Sequence, residues 1–284
     1  MAPQLAWIGL GNMGRGMCKN LVEKGQLSQP LIIFNRTKKR ADDLSAQLGS
    51  ERSKVASTIE EAVSASDIIF TCVGDDKAIT DTIETALKAA DTINSKGGEF
   101  VACPVFGAPV MADNGQLVCV LAGPSAQVDK VKPFTTGVMG RANIDYSDQP
   151  QGAATRLKII GNTFILNMVE TLSEGHTLAE KSGLGSDNLH AFIETMFPGP
   201  YVAYSNRLRQ GDYHKREEPL FAVDLARKDA GHALSLAKAH GCKLKDVEVA
   251  DAHLAEVQKH MGRRGDIASI YGAVRQESGL KFEN

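Results

Sequence analysis

Lys158 and Asn162 stand four residues apart in the stretch Gly152-Ala153-Ala154-Thr155-Arg156-Leu157-Lys158-Ile159-Ile160-Gly161-Asn162. On a helix that spacing puts both side chains on one face, bordered by the small residues Ala154 and Gly161. A lysine ammonium can hand a proton to a carbonyl oxygen whose carbon receives hydride, provided its pKa falls from about 10.4 toward neutrality. Burial or a second cation has that effect. The Asn162 amide can orient a substrate oxygen. The same pair on an exposed helix face would do no chemistry, and spacing alone leaves both readings open.

A second set of residues has the form of a phosphate cradle. Gly9-Leu10-Gly11-Asn12-Met13-Gly14 follows the apolar run Leu5–Ile8 and opens a helical pattern over Met13–Gly25, with apolar positions at Met17, Leu21 and Val22. This is the strand–turn–helix context that a dinucleotide-binding turn requires. Gly9 suits a tight turn, Gly11 lets backbone approach a pyrophosphate, and Gly14 allows close helix–strand packing. The helix start offers N–H groups and a positive dipole end to phosphate. The run Ile68–Val73 ends in Cys72 and Val73, which are expected beside the same cofactor.

The end of the second strand-like run, Leu31–Phe34, bears on which dinucleotide fits. An acidic residue there would accept both ribose hydroxyls and favour NAD. The chain instead reads Asn35-Arg36-Thr37, followed by Lys38, Lys39 and Arg40. Arg36 and Thr37 supply the charge and donors that a 2′-phosphate needs, so NADP is expected over NAD. Lys38 to Arg40 read as a solvated helix start.

The elements around these residues change character near Ser147. Before it, strand-like runs at Leu5–Ile8, Leu31–Phe34, Ile68–Val73, Phe100–Cys103, Leu117–Leu121 and Ala142–Tyr146 alternate with amphipathic segments such as Lys39–Leu48 and Ala78–Ala90. That rhythm predicts a parallel, doubly wound sheet. After it come helical patterns alone: 152–181, stopped by Gly183 and Gly185; a helix capped by Asp187; a break at Met196-Phe197-Pro198-Gly199-Pro200; then helices over 221–240 and 245–261. The expected fold is therefore α/β, with a Rossmann-type dinucleotide-binding domain over 1–147 and an all-helical domain for substrate binding and dimerisation over 148–284.

Composition is that of a globular enzyme: 43% hydrophobic, 23% charged, and a net charge of −2 from 32 basic and 34 acidic residues. Nothing in that balance calls for nucleic acid or an anionic membrane. Five scattered cysteines without a C-x-x-C pair suggest reduced thiols. With no secretory leader pattern and no apolar span near 20 residues, a cytoplasmic protein is expected. The seven histidines show no metal-site spacing, so no metal is expected.

Gly9–Gly14 with Met17, Asn20 and Leu21, then Pro104-Val105-x-Gly107, then the stretch to Lys158 and Asn162, then Lys228-Asp229, occur in an order that resembles the β-hydroxyacid dehydrogenases. That family includes 3-hydroxyisobutyrate dehydrogenase and tartronate semialdehyde reductase, and its cofactor domain is of the 6-phosphogluconate dehydrogenase kind. The resemblance implies an oxidoreductase that moves hydride between NADP and a small β-hydroxy acid, or the matching aldehyde or keto acid. It implies Lys158 as acid/base, Asn162 as a substrate holder, and the turn containing Val105, Phe106 and Gly107 as a donor to a substrate carboxylate. Lys228 would reach the nicotinamide end, and a homodimer or larger oligomer is expected.

The chain also departs from the family pattern. D-A-P-V-S-G-G becomes Ala102-Cys103-Pro104-Val105-Phe106-Gly107-Ala108, so a bulky ring replaces a serine hydroxyl. Ala154 stands for a second glycine. After Gly74-Asp75-Asp76 the chain passes through one helical pattern straight to Phe100, and a strand with its cofactor-side turn is expected to be missing. Two alternatives follow: a cofactor-binding module with impaired catalysis, and an imine-reductase-like enzyme, against which Lys158 argues.

Overall fold

The computed structural model describes residues 2–73 and 97–284. Contacts divide the chain into two units, Met1–Lys158 and Ile159–Asn284. The first begins with β1 (Leu5–Ile8), α1 (Asn12–Lys24), β2 (Leu31–Phe34), α2 (Lys38–Leu48), β3 (Ser53–Val55), α3 (Ile59–Ser64) and β4 (Ile68–Thr71). The four strands make an all-parallel sheet in the order β3-β2-β1-β4. The chain steps outward from β1 to β3, then crosses to the other side of β1. The carboxyl end of β1 thus lies at the switch point where open parallel sheets bind ligands. Buried Leu5, Trp7, Leu31 and Ile33 pack with Met17, Leu21 and Leu44 of α1 and α2. Each fully buried side chain of this size contributes roughly 1.5–3 kcal/mol.

The short elements β3 and α3 lack a long apolar run, and the apolar pattern does not reveal them. Their sequence signal is polar: Thr58 accepts from the Glu61 N–H at 3.1 Å, while the Glu61 carboxylate accepts from Ser57 N–H at 2.8 Å. The helical pattern Ala78–Ala90 and the expected missing strand lie outside the described residues.

The unit continues with β5 (Val105–Phe106), α4 (Pro109–Asp113), β6 (Leu117–Gly123), α5 (Ser125–Val131) and β7 (Gly140–Ser147). Here the structure corrects two expectations. Phe100–Cys103 is not a strand: Ala102 makes an isolated bridge to Ala122, and pairing resumes at Val105. Pro104 interrupts the ladder because it has no N–H, although its carbonyl accepts from Val120 N–H at 2.9 Å. The direction also differs, since β5 runs antiparallel to β6, while β6 and β7 are parallel.

α6 (Gly152–Lys181) is followed by α7 (Ser186–Met196), α8 (Pro200–Arg209), α9 (Asp212–Lys215), α10 (Val223–Ala239), α11 (Lys245–Met261) and α12 (Ile270–Glu277). From Gly152 onward the architecture is helical. Gly185, not Asp187, occupies the cap of α7. Asp187 sits in the first turn, where its charge suits the helix dipole, and pairs with Arg209. Leu166, Val169 and Leu172 of α6 share one core with Ala226 and Ala230 of α10 and with Val247 and Leu254 of α11. Among the described residues no helix is long and apolar enough to cross a membrane.

Candidate active site

The turn after β1 is pinned at each of its first residues. Gly9 N–H donates to Phe34 O at 3.0 Å. The buried Trp7 indole N–H donates to Gly9 O at 2.8 Å. Leu10 N–H donates to Asn35 Oδ1 at 2.9 Å. Gly9 adopts φ +100°, and a Cβ there would meet Cys72 O at 2.2 Å, with Val73 close behind. A Cβ on Gly14 would lie 2.2 Å from Gly9 O, whereas among the described residues one on Gly11 would meet nothing within 4 Å. The structure therefore closes the turn around Gly9 and Gly14 and leaves it open at Gly11. Gly11 and Asn12 are exposed, and no side chain caps the start of the 13-residue α1. An open approach to an uncapped helix start fits a pyrophosphate. Met13 packs against the core, so it faces away from that opening.

Cys72 and Val73 form the wall behind Gly9, and burial pushes the Cys72 thiol up to about 11. Asn35 has its amide engaged at both ends: Oδ1 accepts from Leu10, and Nδ2 donates to Thr37 O at 3.0 Å. Asn35, at the end of β2, thus braces the glycine turn. Arg36 and Thr37 are exposed at the start of α2.

Lys158 belongs to the same unit as the glycine turn. Its Nζ donates to Val105 O at 2.9 Å and lies 4.7 Å from the centroid of the Phe106 ring. Both partners come from the two-residue strand β5. Gly107 follows at φ +139°, and a Cβ there would meet Leu117 at 2.7 Å. The turn is locked to α1 through Asn20, whose buried Nδ2 lies 2.8 Å from Ala112 O of α4 and 2.8 Å from Gly16 O. The helices that follow the two candidate turns are therefore tied to each other.

In the second unit Asn162 is buried, and its Nδ2 donates to Asp229 Oδ2 at 2.6 Å. Asp229 in turn lies 3.5 Å from Lys228 Nζ, with both side chains largely buried. The Lys228-Asp229 pair is thus not the surface ion pair that adjacent charges usually make. Because a carboxylate only accepts, Asp229 fixes which end of the Asn162 amide turns toward it.

Trp7, which holds Gly9, is a residue the sequence reading does not single out, and Asp229, which holds Asn162, enters that reading only as the neighbour of Lys228. Trp7 is the chain's one tryptophan and stands two residues before Gly9, which was the available signal. Cys103, beside Pro104, shares a hydrogen bond with Cys119, and this bond together with burial holds its thiol well above the usual range. That marks a packed thiol, not a nucleophile. Among the described residues no group of His, Cys, Asp and Glu is placed to hold a metal ion.

The family model for the NAD binding domain of 6-phosphogluconate dehydrogenase matches residues 4–92 and 82–146. A second, described as the NAD-binding domain of NADP-dependent 3-hydroxyisobutyrate dehydrogenase, matches residues 152–274. An NADH-dependent oxidoreductase of Aspergillus ustus is 35% identical, covering 95% of this chain and 98% of its own. Glyoxylate/succinic semialdehyde reductase 1 of Arabidopsis thaliana is 29% identical, covering 82% of this chain and 85% of its own. The crystal structure of a 3-hydroxyisobutyrate dehydrogenase from Salmonella typhimurium superposes with a TM-score of 0.79 at 19% identity, over 94% of this chain and 98% of that one, and so shares the fold. The chain belongs to the β-hydroxyacid dehydrogenase family: it is an oxidoreductase with that family's NAD(P)-binding domains.

Proposed function

We propose that this oxidoreductase reduces a small aldehyde or keto acid to the corresponding β-hydroxy acid, and runs the reverse reaction, with Lys158 as general acid/base. The observation that carries the proposal is the Lys158 ammonium held 2.9 Å from Val105 O, in the same unit as the glycine turn. The Gly9–Gly14 turn would hold the pyrophosphate, with Asn35, Arg36 and Thr37 at the adenosine ribose and Cys72, Val73 and Lys228 along the cofactor. A bound nicotinamide would supply or accept the hydride. Lys158 would donate its Nζ proton to the carbonyl oxygen as hydride reaches the carbon. Backbone N–H groups of the Val105–Gly107 turn would bind the substrate carboxylate, and Asn162, oriented by Asp229, would hold a substrate oxygen.

NADP is the proposed cofactor, because Arg36 offers a guanidinium where an acidic residue would select NAD. The Aspergillus relative named as NADH-dependent makes this a point to measure. The two domains proposed are a cofactor domain over 1–147 and a substrate and dimerisation domain over 148–284, in a cytoplasmic homo-oligomer.

A second reading, a cofactor-binding module with impaired turnover, is favoured by one observation. The cofactor-domain model matches in two overlapping pieces, 4–92 and 82–146, which meet in the segment where a strand is expected to be missing. Oxidation of NADPH and NADH with short semialdehydes, glyoxylate-like acids and cyclic imines, by the native protein and Lys158→Ala, separates the readings. Turnover of an aldehyde acid that Lys158→Ala lowers at least a hundredfold supports the first. Turnover unchanged in Lys158→Ala removes the assigned acid, and tight NADPH binding without turnover establishes the second.

A further inference from the structure

We propose that Phe106 is a positioning residue for Lys158, a cation clamp built where the family's substrate turn carries a serine. This rests on the reading of Lys158 as the acid. Two adjacent residues of β5 act on one ammonium: Val105 offers its carbonyl at 2.9 Å and Phe106 its ring, with the centroid 4.7 Å away. The ring is itself held. Phe106 pairs with Val118 of β6 and packs in a small core with Ala102, Val120, Ala122 and Ala154. A ring quadrupole attracts a cation and does nothing comparable for a neutral amine. Phe106 therefore fixes where the Nζ sits and favours its protonated form.

The consequence is directional. During reduction the Nζ–H bond breaks, the proton passes to the carbonyl oxygen, and the neutral amine regains a proton from solvent. A clamp on the charged form works against the fall toward neutrality that a lysine acid needs, keeps the acid loaded at higher pH and opposes the lysine acting as base in the oxidation. Among the described residues, the other titratable groups on these elements include Arg156 on α6, Cys103 beside Pro104, Cys119 on β6 and Tyr146 on β7. Asp145 of β7 is paired with Lys132.

The test reads the lysine directly, without turnover. Acetic anhydride labels neutral amines, so the pH dependence of Lys158 acetylation in the intact protein, followed by peptide mass spectrometry, gives its titration midpoint. In Phe106→Leu the midpoint falls by about half a pH unit, and labelling at fixed neutral pH rises about threefold. Phe106→Tyr, which keeps the ring face, stays at the wild-type midpoint. The alkaline limb of kcat/KM for reduction moves down with the midpoint in Phe106→Leu alone. Should Phe106→Leu not fold, Phe106→Met serves in its place. Coincident midpoints for wild type and the aliphatic variant, or a Tyr variant that shifts like it, overturn the clamp. If Lys158→Ala keeps full turnover, the acid assignment fails while the labelling result still decides the clamp.

Discussion

Gly11 and Gly14, three residues apart, do different work, and substitution separates them. A methyl on Gly14 collides with Gly9 O, while one on Gly11 enters open space. Gly11→Ala is expected to leave stability within about 1 kcal/mol of wild type and to raise the dinucleotide Kd at least tenfold. Gly14→Ala should weaken both, which urea unfolding and fluorescence titration will distinguish. At the ribose end, Arg36→Ala should lower kcat/KM for NADPH by at least tenfold, the scale of one charge-assisted hydrogen bond, and leave NADH nearly unchanged. An equal loss with both cofactors would remove Arg36 as the phosphate reader. At this scale the glycine spacing was fully legible, because each glycine answers a local steric demand. The partner Trp7 was not, and Asp229 was legible only as the neighbour of Lys228. Asp229 meets Asn162 across 67 residues, and no periodicity encodes that.

Elements were legible where an apolar face is long. α6 and α11 run over the stretches that their periodicity predicts, because an extended apolar stripe must be buried. Pro104 shows the opposite case: an apolar run promised a strand, and one missing N–H reduced it to a bridge and two residues. Helix contacts in the second unit also carry a pH dependence that no pattern announced. His253 of α11 sits between Glu170 of α6 at 2.9 Å and Glu277 of α12 at 2.9 Å. Pairing with the buried Glu170 carboxylate is the main cause raising its pKa to about 9, against the cost of burial. A raised folded-state pKa stabilises fully below the ordinary value of 6.5 and loses that contribution as pH climbs through about 9. Unfolding free energy should therefore decline between those values, by an amount on the order of 2–3 kcal/mol. His253→Gln should flatten the decline in urea titrations at pH 6, 8 and 10. A variant with the wild-type slope would remove this contact from the account.

At the level of the whole molecule, cofactor binding and folding are linked. Any dinucleotide that binds the folded chain adds RT ln(1 + [L]/Kd) to its stability, about 2.7 kcal/mol at a hundredfold excess over Kd. NADPH should raise the melting temperature by a few degrees, and NADH should do so only at higher concentration. Identical curves for the two would contradict the preference argued from Arg36. The order of elements and the change from strands to helices near residue 150 could be read from sequence because they follow from hydrophobic period. The antiparallel β5 could not, since strand direction depends on partners far along the chain. Trp7 adds a practical consequence. It is the chain's single indole, it is stacked on Phe70, and its N–H is bonded to the first glycine of the turn. All tryptophan emission from this protein thus originates at one address. Its colour and lifetime form a built-in optical gauge of whether that turn is intact, readable without any label.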